Sequence, residues 1–319
     1  MDGQLLVTGA SGFIGSRLAA ALVQAGHPVR AMTRRPERYL GAGEPVAGDV
    51  HRPDTLVEPL TGVHTAYYLV HSLGSADFER LDAAAARAFG AQAARAGVRR
   101  IIYLGGLGAE QGRLSAHLRS RRAVESLLGA AGVPVTVLRA AVVIGHGGIS
   151  WEITRQLVDH LPLMIGPRWV NTQTQPIALA DVVRYLVGVL DDGATGDVIY
   201  QVGGPEAMRY VDMLRRAARV QHGRQLPVLC VPLLTPRLSS AWLALVTDVD
   251  LATARTLVDS MTTETVVDDN AIDSVVPGAP LGYEDAVRAA LADRAAALAD
   301  AEQQARDAQS DGSASGPVR

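Results

Sequence analysis

"QLLVTGASGFIGSRLAAALVQ", residues 4 to 24, is the stretch that decides the fold. Residues 4–8 form a short apolar run of the kind that makes a buried β-strand. From residue 13 to residue 24 apolar side chains recur at helical spacing, and Gly26 is placed to end that helix. The stretch therefore predicts a strand, a glycine-rich loop and a helix, in that order.

The predicted loop has glycine at every third position, at Gly9, Gly12 and Gly15. Glycine lets the backbone turn tightly and approach a pyrophosphate, while free amides and the dipole of the following helix attract negative charge. Such glycines alone could make a merely structural turn, but their position between a strand and a helix favours a dinucleotide site. The expected contacts are Gly9, Ser11, Gly12, Phe13, Ile14 and Gly15.

The same alternation of elements continues as far as Arg139. The further strands are expected at 28–33, 45–50, 64–70, 99–106 and 133–139, and the helices at 77–96 and 115–130. Nearly continuous apolar strands that alternate with helices form parallel sheets covered on both faces. We therefore expect an α/β fold with a doubly wound parallel (Rossmann) sheet.

Beyond Arg139 the pattern is less regular. A helix is expected at 149–161, a short strand that runs into a helix capped by Asp181 at 176–190, and a strand at 197–202. The predicted organisation has a dinucleotide-binding domain at 1–145, to which 171–202 returns, and a smaller substrate-side lobe formed by 146–170 and 203–283. An alanine-rich C-terminal helix at 284–308 follows and could serve docking or dimerisation. The last residues, 309–319, are predicted to form a disordered tail.

The composition limits the chemistry. The chain has 319 residues, one cysteine and no lysine, so all 30 basic residues are arginine. The single cysteine, Cys230, excludes an intrachain disulfide and a thiolate metal cage. The lack of lysine excludes a Walker-type phosphate lysine, a Schiff-base lysine and a Tyr-x-x-x-Lys pair. No His/Asp cluster with metal-ligand spacing is present, so no metal is expected.

Charge and hydropathy give further expectations about partners. The net charge of -3 gives no reason to expect nucleic acid, which requires a basic surface. The N-terminus lacks a basic region followed by a long apolar run, and no apolar stretch is long enough to cross a bilayer. We therefore expect a cytoplasmic protein that binds a small-molecule substrate and no membrane.

The end of the second strand indicates which dinucleotide is bound. NAD sites place an acid there for the adenosine ribose, whereas arginine accommodates the 2′-phosphate of NADP. Here Thr33, Arg34 and Arg35 occupy the corner and no acid does, which favours NADP(H), although two solvated loop arginines are the alternative. Asp49 and Val50 end the predicted third strand, where they would contact the adenine or simply cap a loop.

The chain resembles the atypical short-chain dehydrogenases/reductases of the NmrA-like, NAD(P)-binding type. The resemblance rests on "VTGASGFIGSRL", "GDV", "RRIIYLGGLG", "LRAAVVIG" and "QPIALADVVRYLV", and covers roughly residues 4 to 205 well. It implies a dinucleotide on the glycine loop and a nicotinamide bordered by residues 140–143. The further cofactor contacts that it implies are Leu69, Val70, His71, Gly105, Ala140 and Val142. A homodimer through the long helices is a further implication of the resemblance.

The catalytic residues of that family are not in place. Its reductases usually have Ser or Thr after the fifth strand, where this chain has Gly105 and Gly106. None of the eight tyrosines has a lysine or an arginine four positions later. His117 and Arg121 have that spacing and would share a helix face. His117 could act as the general acid and Arg121 could bind the cofactor ribose or the substrate, or both could lie on a solvated surface.

Other candidates lie near the ends of strands. His71 and His146 could take part in chemistry or be structural, and Trp151 and Trp169 could line a substrate pocket with His146 or belong to the core. Three functions remain open at this point. They are an NADPH-dependent reductase of a small hydrophobic carbonyl-, quinone- or enone-like substrate, an NADP(H)-binding redox sensor or regulator without turnover, and a non-redox isomerase or cyclase.

Overall fold

A computed structural model describes residues 3–108, 114–230, 247–248 and 250–314. Its strands are β1 Gln4–Thr8, β2 Val29–Thr33, β3 Glu44–Ala47, β4 Val63–Tyr68, β5 Arg100–Gly106, β6 Val135–Ala140, β7 Val143–Ile144, β8 Met164–Gly166, β9 Gln173–Thr174, β10 Ile177–Ala178, β11 Val198–Val202, β12 Met208–Arg209 and β13 Val228–Cys230. Its α-helices are α1 Phe13–Gln24, α2 Val57–Leu60, α3 Phe78–Arg95, α4 Ala116–Gly129, α5 Ile149–His160, α6 Leu179–Gly188, α7 Tyr210–His222, α8 Leu251–Ser260 and α9 Tyr283–Ala314.

Seven of the strands form one central sheet in the order β3-β2-β1-β4-β5-β6-β11. All six neighbouring pairs in it are parallel. The chain reverses its direction of winding between β1 and β4, and ligands of open α/β sheets bind at such a reversal, beyond the carboxyl ends of the strands. The predicted doubly wound parallel sheet is confirmed.

Two successive residues of β4 show why both faces of the sheet are covered. Tyr67 packs with residues of α1 and α6, and its hydroxyl donates a hydrogen bond to the carbonyl oxygen of Leu186 at 2.9 Å. Tyr68 points to the opposite face, where its ring centroid lies 5.0 Å from that of Phe89 in α3. Alternation along a largely apolar strand thus provides two cores, one on each face.

A third core lies beyond the carboxyl ends of the strands. It is formed by apolar residues of α5, α7, α8 and the first turns of α9, among them Trp151, Met213, Val258 and Val287. This is the part of the chain for which a smaller lobe is predicted, and the division into domains stays a prediction.

Three boundaries differ from expectation. β3 ends at Ala47, so Asp49 and Val50 do not end a strand but follow it in a turn. Asp181 lies inside the first turn of α6 and is no cap, because its buried carboxylate binds Arg184 at 3.1 Å and accepts from the Leu281 amide at 2.8 Å. α9 runs on to Ala314, so the predicted disordered tail is helical up to that residue, and residues 315–319 lie outside the described part.

Within the ranges that the structure describes, no helix combines the length and the apolar character needed to span a membrane.

Candidate functional site

The glycine loop joins β1 to α1 at the winding reversal. Gly9 has a φ of +63°, which favours glycine, and the amide of Gly12 donates to its carbonyl oxygen at 2.9 Å. A Cβ on Gly15 would overlap that same carbonyl group. The N-terminus of α1 has neither a side-chain cap nor an acid in its first turn, so its amides and dipole are available to an anion. The loop therefore fits the diphosphate of a dinucleotide.

Phe13 and Ile14 contribute differently from the expectation that their side chains contact the cofactor. Ile14 packs against the core under α1 and α6. The ring of Phe13 covers the start of α5, because a Cβ on Gly148 would lie 2.6 Å from its Cζ. Only the backbone of these two residues is thus placed for the phosphates, and Phe13 links the glycine loop to α5.

The corner after β2 carries two exposed arginines beside the glycine loop. The Ala10 amide donates to the Met32 carbonyl oxygen at 3.3 Å, which joins this corner to the loop. The guanidinium groups of Arg34 and Arg35 make no hydrogen bond or ion pair with the described residues, although the Arg35 amide donates to Thr33 Oγ1 at 3.4 Å. Two unpaired guanidiniums here suit the 2′-phosphate of NADP.

Asp49 caps a turn in the next loop. Its Oδ1 accepts a hydrogen bond from the His51 amide at 2.9 Å, and its own amide donates to Thr55 Oγ1 at 2.9 Å. Val50 is buried in the core under α2 and α3, so its side chain is not placed to contact an adenine. Of the two interpretations of Asp49, the loop cap is the one that the geometry supports.

The end of β4 lies directly against the glycine loop. The amide of Leu69 donates to Thr8 Oγ1 at 3.0 Å. A Cβ on Gly9 would lie 3.4 Å from the Leu69 carbonyl oxygen and 3.5 Å from Cγ2 of Val70. The sequence-predicted residues Leu69 and Val70 are therefore brought together with the phosphate loop, and His71 follows them.

Two glycines at the end of β5 are in contact with α4. A Cβ on Gly105 would lie 2.9 Å from Oε1 of Glu125, and one on Gly106 would lie 2.8 Å from Cδ2 of Leu118. The Glu125 carboxylate is buried and binds Arg139, whose Nη2 donates to Oε2 at 2.8 Å. The usual Ser or Thr here would require the side chain of Glu125 or Leu118 to shift, and only the peptide groups of Gly105 remain for its expected contact with the cofactor.

The helix face that carries His117 and Arg121 packs against the protein, with His117 partly buried and Arg121 buried. Arg121 is only 8% exposed, and its guanidinium lies 4.8 Å from the ring centroid of Tyr103. Its Nη2 donates to the carbonyl oxygen of Leu104, near the end of β5. Its Nη1 is buried and has no hydrogen-bond partner among the residues that the structure describes. The interpretation of Arg121 as a solvated surface residue is therefore wrong.

An unpartnered N–H on a buried cation is costly, because a lost hydrogen bond to a charged group leaves its desolvation uncompensated. Arg121 is anchored beside the ends of β4 and β5, where the sheet places the reactive end of a dinucleotide that begins on the glycine loop. A ribose hydroxyl of the cofactor or a substrate oxygen would satisfy Nη1. The glycine loop and the arginine corner thus fit the adenosine end of a bound dinucleotide, and Arg121 fits its nicotinamide end.

The two histidines nearest to Arg121 are neutral at physiological pH. Burial, the Arg121 guanidinium and His71 together lower the pKa of His117 to about 3. Loss of hydration and Arg121 lower the pKa of His71 to about 4, although the carboxylate of Asp82 acts in the other direction. His117 is therefore not an imidazolium acid near neutrality, which corrects that hypothesis.

Tyr103 is no substitute proton donor. Burial raises the pKa of its hydroxyl well above the usual value, and this hydroxyl donates to the Arg121 carbonyl oxygen at 3.4 Å. Asp82 is also buried, and it orients the end of β4 by accepting from the Ser72 amide at 2.8 Å and from Ser120 Oγ at 3.4 Å. No sequence pattern indicates Asp82 or Glu125, because an acid on an amphipathic helix is normally solvent-exposed.

The candidate substrate residues separate into a loop histidine and two core tryptophans. His146 Nδ1 lies 3.3 Å from Oε1 of Glu152, which also accepts from the Gly147 amide at 3.2 Å. Trp151 is fully buried, and Trp169 is 9% exposed and makes an edge contact with Tyr210. The two tryptophans belong to the third core, so the geometry favours the core interpretation, and their role in a substrate pocket stays a prediction.

The remaining predicted contacts follow β6. Ala140 is buried and its carbonyl oxygen accepts from the Leu107 amide at 2.8 Å, while the Val142 carbonyl oxygen accepts from the Ile177 amide at 2.9 Å. Both carbonyls are thus used within the protein. Among the residues described, no three His, Cys, Asp or Glu side chains lie close enough together to hold a metal ion.

The sheet, the glycine loop and the arginine corner together define a Rossmann-type nucleotide-binding protein. Residues 9–192 match the model of a family described as NAD(P)H-binding, and the chain belongs to that family. This match confirms the NAD(P)-binding type that the resemblance implies.

A curated relative is the (4-alkanoyl-5-oxo-2,5-dihydrofuran-3-yl)methyl phosphate reductase of Streptomyces griseus, 30% identical over 68% of this chain and 73% of the relative. The NADPH-dependent quinone oxidoreductase of Escherichia coli, in complex with NADPH, has a TM-score of 0.72 at 19% identity over 89% of this chain and 98% of its own. The triphenylmethane reductase of Citrobacter sp., in complex with NADP(H), has a TM-score of 0.73 at 16% identity over 90% and 99%. The two structures show the shared fold alone.

Proposed function

We propose that the protein is an NADPH-dependent reductase of a small, hydrophobic substrate with a carbonyl, quinone or enone group. The observation that carries the proposal is the order of groups along the carboxyl edge of the sheet. An anion cradle at Gly9–Gly15 and the unpaired Arg34 and Arg35 lie at one end. The buried, partly unpaired Arg121 lies beside β4 and β5 at the other.

The adenosine end of the cofactor determines the choice between the two dinucleotides. The amides at the start of α1 would hold the diphosphate, and Arg34 and Arg35 would bind the 2′-phosphate with charge-assisted hydrogen bonds. An acid that would repel this phosphate is absent from residues 33–35. This arrangement supports NADP(H) rather than NAD(H).

At the reactive end, the chain's own residues would bind and orient. When bound, the reduced nicotinamide supplies a hydride. Arg121 would hold the cofactor ribose or the substrate oxygen through Nη1, and the N–H of neutral His117 would donate a hydrogen bond to that oxygen. A neutral imidazole can polarise a carbonyl without giving up its proton. Water would then protonate the reduced oxygen, which removes the need for a tyrosine and lysine pair.

The relatives support the reaction type. The curated relative from Streptomyces griseus is a reductase, and so are the two structural neighbours from Escherichia coli and Citrobacter sp.. Because their substrates differ, they support reduction in general and leave the substrate of this chain to be found by assay.

The decisive assay is stopped-flow absorbance of the protein loaded with NADPH and mixed with a panel of quinones, enones and small ketones. We expect the signal of the reduced nicotinamide to decay faster than it does for free NADPH with the same compounds. Tight binding of NADPH without oxidation by any of them would contradict the proposal and favour a redox sensor. Substrate conversion without net consumption of NADPH would favour an isomerase or cyclase.

A further inference from the structure

We infer that His71 is a catalytic hydrogen-bond donor, and that its Nε2–H group, together with His117 and Arg121, forms a binding site for an oxyanion. The inference rests on the proposed function and specifies its substrate class: a compound whose reducible oxygen carries negative charge as the reaction proceeds. His71 follows β4, and the other two residues lie one turn apart on the buried face of α4. Asp82 joins these two elements, because its carboxylate accepts from the Ser72 amide at 2.8 Å and from Ser120 Oγ on α4 at 3.4 Å.

A hydrogen bond in the turn after β4 fixes the tautomer of His71. The Leu73 amide donates to His71 Nδ1 at 3.4 Å. A ring nitrogen that accepts a hydrogen bond carries no proton, so the proton of the neutral ring is on Nε2. The turn itself is held by Asp82, whose Oδ1 accepts from the Ser72 amide at 2.8 Å. The Nε2–H group is therefore a donor with a defined position.

The charged groups around His71 keep it neutral. Arg121 and His117 face it from α4, Asp82 faces it from α3, and His51 reaches the turn through Ser72 Oγ at 3.2 Å. Asp82 favours protonation of the ring, but lost hydration and the Arg121 cation outweigh it, so the pKa of His71 lies below its usual value. A neutral donor does not deliver its proton in the reaction.

These donors suit an oxygen that becomes negatively charged. A hydride adds to the electrophilic carbon of the substrate, a C–H bond forms, and the π pair of the carbonyl or enone moves to the oxygen. NADPH, the reductant, is oxidised to NADP⁺. The oxygen then takes a proton from water, which can approach because the His71 side chain, although surrounded by protein atoms that lower its pKa, is still accessible to solvent. Hydrogen bonds that strengthen as this charge develops stabilise the transition state more than the substrate.

The experiment uses a phenolate as a stable oxyanion that cannot accept a hydride. The full chain is loaded with NADP⁺ and titrated with 4-nitrophenol, and the absorbance of the bound phenolate is followed. We expect the complex to bind the phenolate in preference to the neutral phenol. His71→Phe should weaken this binding by roughly ten- to a hundredfold, since it removes one donor and keeps a ring. His71→Gln, whose amide N–H can reach a similar point, should restore most of it.

Controls separate this inference from the proposed function. His222→Gln, on the outer side of α7 where His222 binds Asp159, should bind the phenolate like wild type. NADP⁺ affinity, measured for each variant by fluorescence, should stay within about twofold of wild type. Failure to bind NADP⁺ at all would remove the proposed function together with the inference. Tight NADP⁺ binding with no phenolate binding would overturn the inference alone.

An independent measurement addresses the tautomer. Nitrogen-15 NMR of the histidine side chains should show His71 protonated on Nε2 only, from about pH 8 down to about pH 5. A proton on Nδ1, or a doubly protonated ring in that range, would overturn the assignment of His71 as a neutral donor. Unchanged phenolate binding in the His71→Phe variant would also overturn the assignment of His71 as a donor to the oxyanion.

Discussion

The carboxylate of Glu125 occupies the space beside Gly105, so that a Cβ on Gly105 would lie only 2.9 Å from Oε1. A family reductase would have Ser or Thr at this end of β5. Here the same space is part of a buried ion pair, in which the guanidinium of Arg139 binds the Glu125 carboxylate at 2.8 Å. A serine at this position would therefore have to displace the Glu125 carboxylate from its place beside Arg139.

Gly105→Ser should therefore destabilise the protein without adding activity. Overpacking of a filled core position costs about 1–3 kcal/mol of unfolding free energy. Urea denaturation measures this loss. Gly196→Ser is a suitable control because no atom lies within 4 Å of its Cβ position, so it should be close to neutral. A Gly105→Ser protein with wild-type stability would show that Glu125 moves aside easily.

The buried pair itself should be strongly coupled. Arg139→Met leaves the buried Glu125 carboxylate without its closest cation and should lower the unfolding free energy by about 3–5 kcal/mol. Glu125→Leu combined with Arg139→Met removes both charges and should recover much of the loss. A double-mutant cycle on denaturation curves tests this. Additive losses would contradict the coupling.

The sequence predicted the phosphate-binding end of the site well, for a physical reason. The strand, the glycines at 9, 12 and 15 and the helix are contiguous, so local periodicity and backbone requirements are enough to place them. The strands of the central sheet were also found, because fully buried parallel strands are nearly continuously apolar. Their order fits the doubly wound fold expected for that alternation.

The catalytic end was less predictable because it depends on contacts between distant segments. His71 and Arg121 come together only because β4 and β5 are neighbours and α4 packs beside them. The sequence spacing of His117 and Arg121 places them on one helix face but does not show whether that face is solvated or buried. Asp181 illustrates the same limit: its position near a helix start predicted a cap, whereas its actual partner is the distant Leu281 amide.

Cofactor preference should depend on the arginine corner. Replacing both Arg34 and Arg35 by Ala should weaken NADPH binding by roughly ten- to a hundredfold, because the 2′-phosphate loses its charge-assisted hydrogen bonds. NADH, which lacks that phosphate, should bind nearly as before. Fluorescence titration with both dinucleotides measures the ratio.

The control for the corner is Arg306→Ala, on the exposed part of α9, which should leave both affinities unchanged. Added salt should weaken NADPH binding by wild type more than by the double variant, since exposed charges are screened. Equal loss of NADH and NADPH affinity would mean that the arginines stabilise the loop rather than read the 2′-phosphate.

Acid should destabilise the fold through the two neutral histidines. Their folded pKa values are lowered, to about 3 for His117 and about 4 for His71, whereas an unfolded chain has a value near 6.5. Below about pH 6.5 the unfolded chain therefore binds protons that the folded chain does not. Stability from this source is present above that pH and is lost as the pH falls toward the folded values.

Urea denaturation between about pH 7 and pH 5 measures this loss, in a window where ordinary carboxylates remain largely ionised. His117→Gln should have a smaller decrease in unfolding free energy over the window than wild type. Parallel curves for the two proteins would contradict a neutral, buried His117.

His117→Ala should lower turnover by roughly ten- to a hundredfold and leave NADPH affinity within about twofold of wild type, because the lost donor serves the substrate oxygen in the transition state. A neutral donor does not titrate near neutrality, so wild-type turnover should show no ionisation of His117 between about pH 5 and pH 8. His117→Gln, which keeps an N–H donor, should retain more activity than His117→Ala. Equal turnover of wild type and His117→Ala would remove His117 from the mechanism. A loss confined to NADPH affinity would place it on the cofactor instead, and the oxygen would then depend on His71 and Arg121.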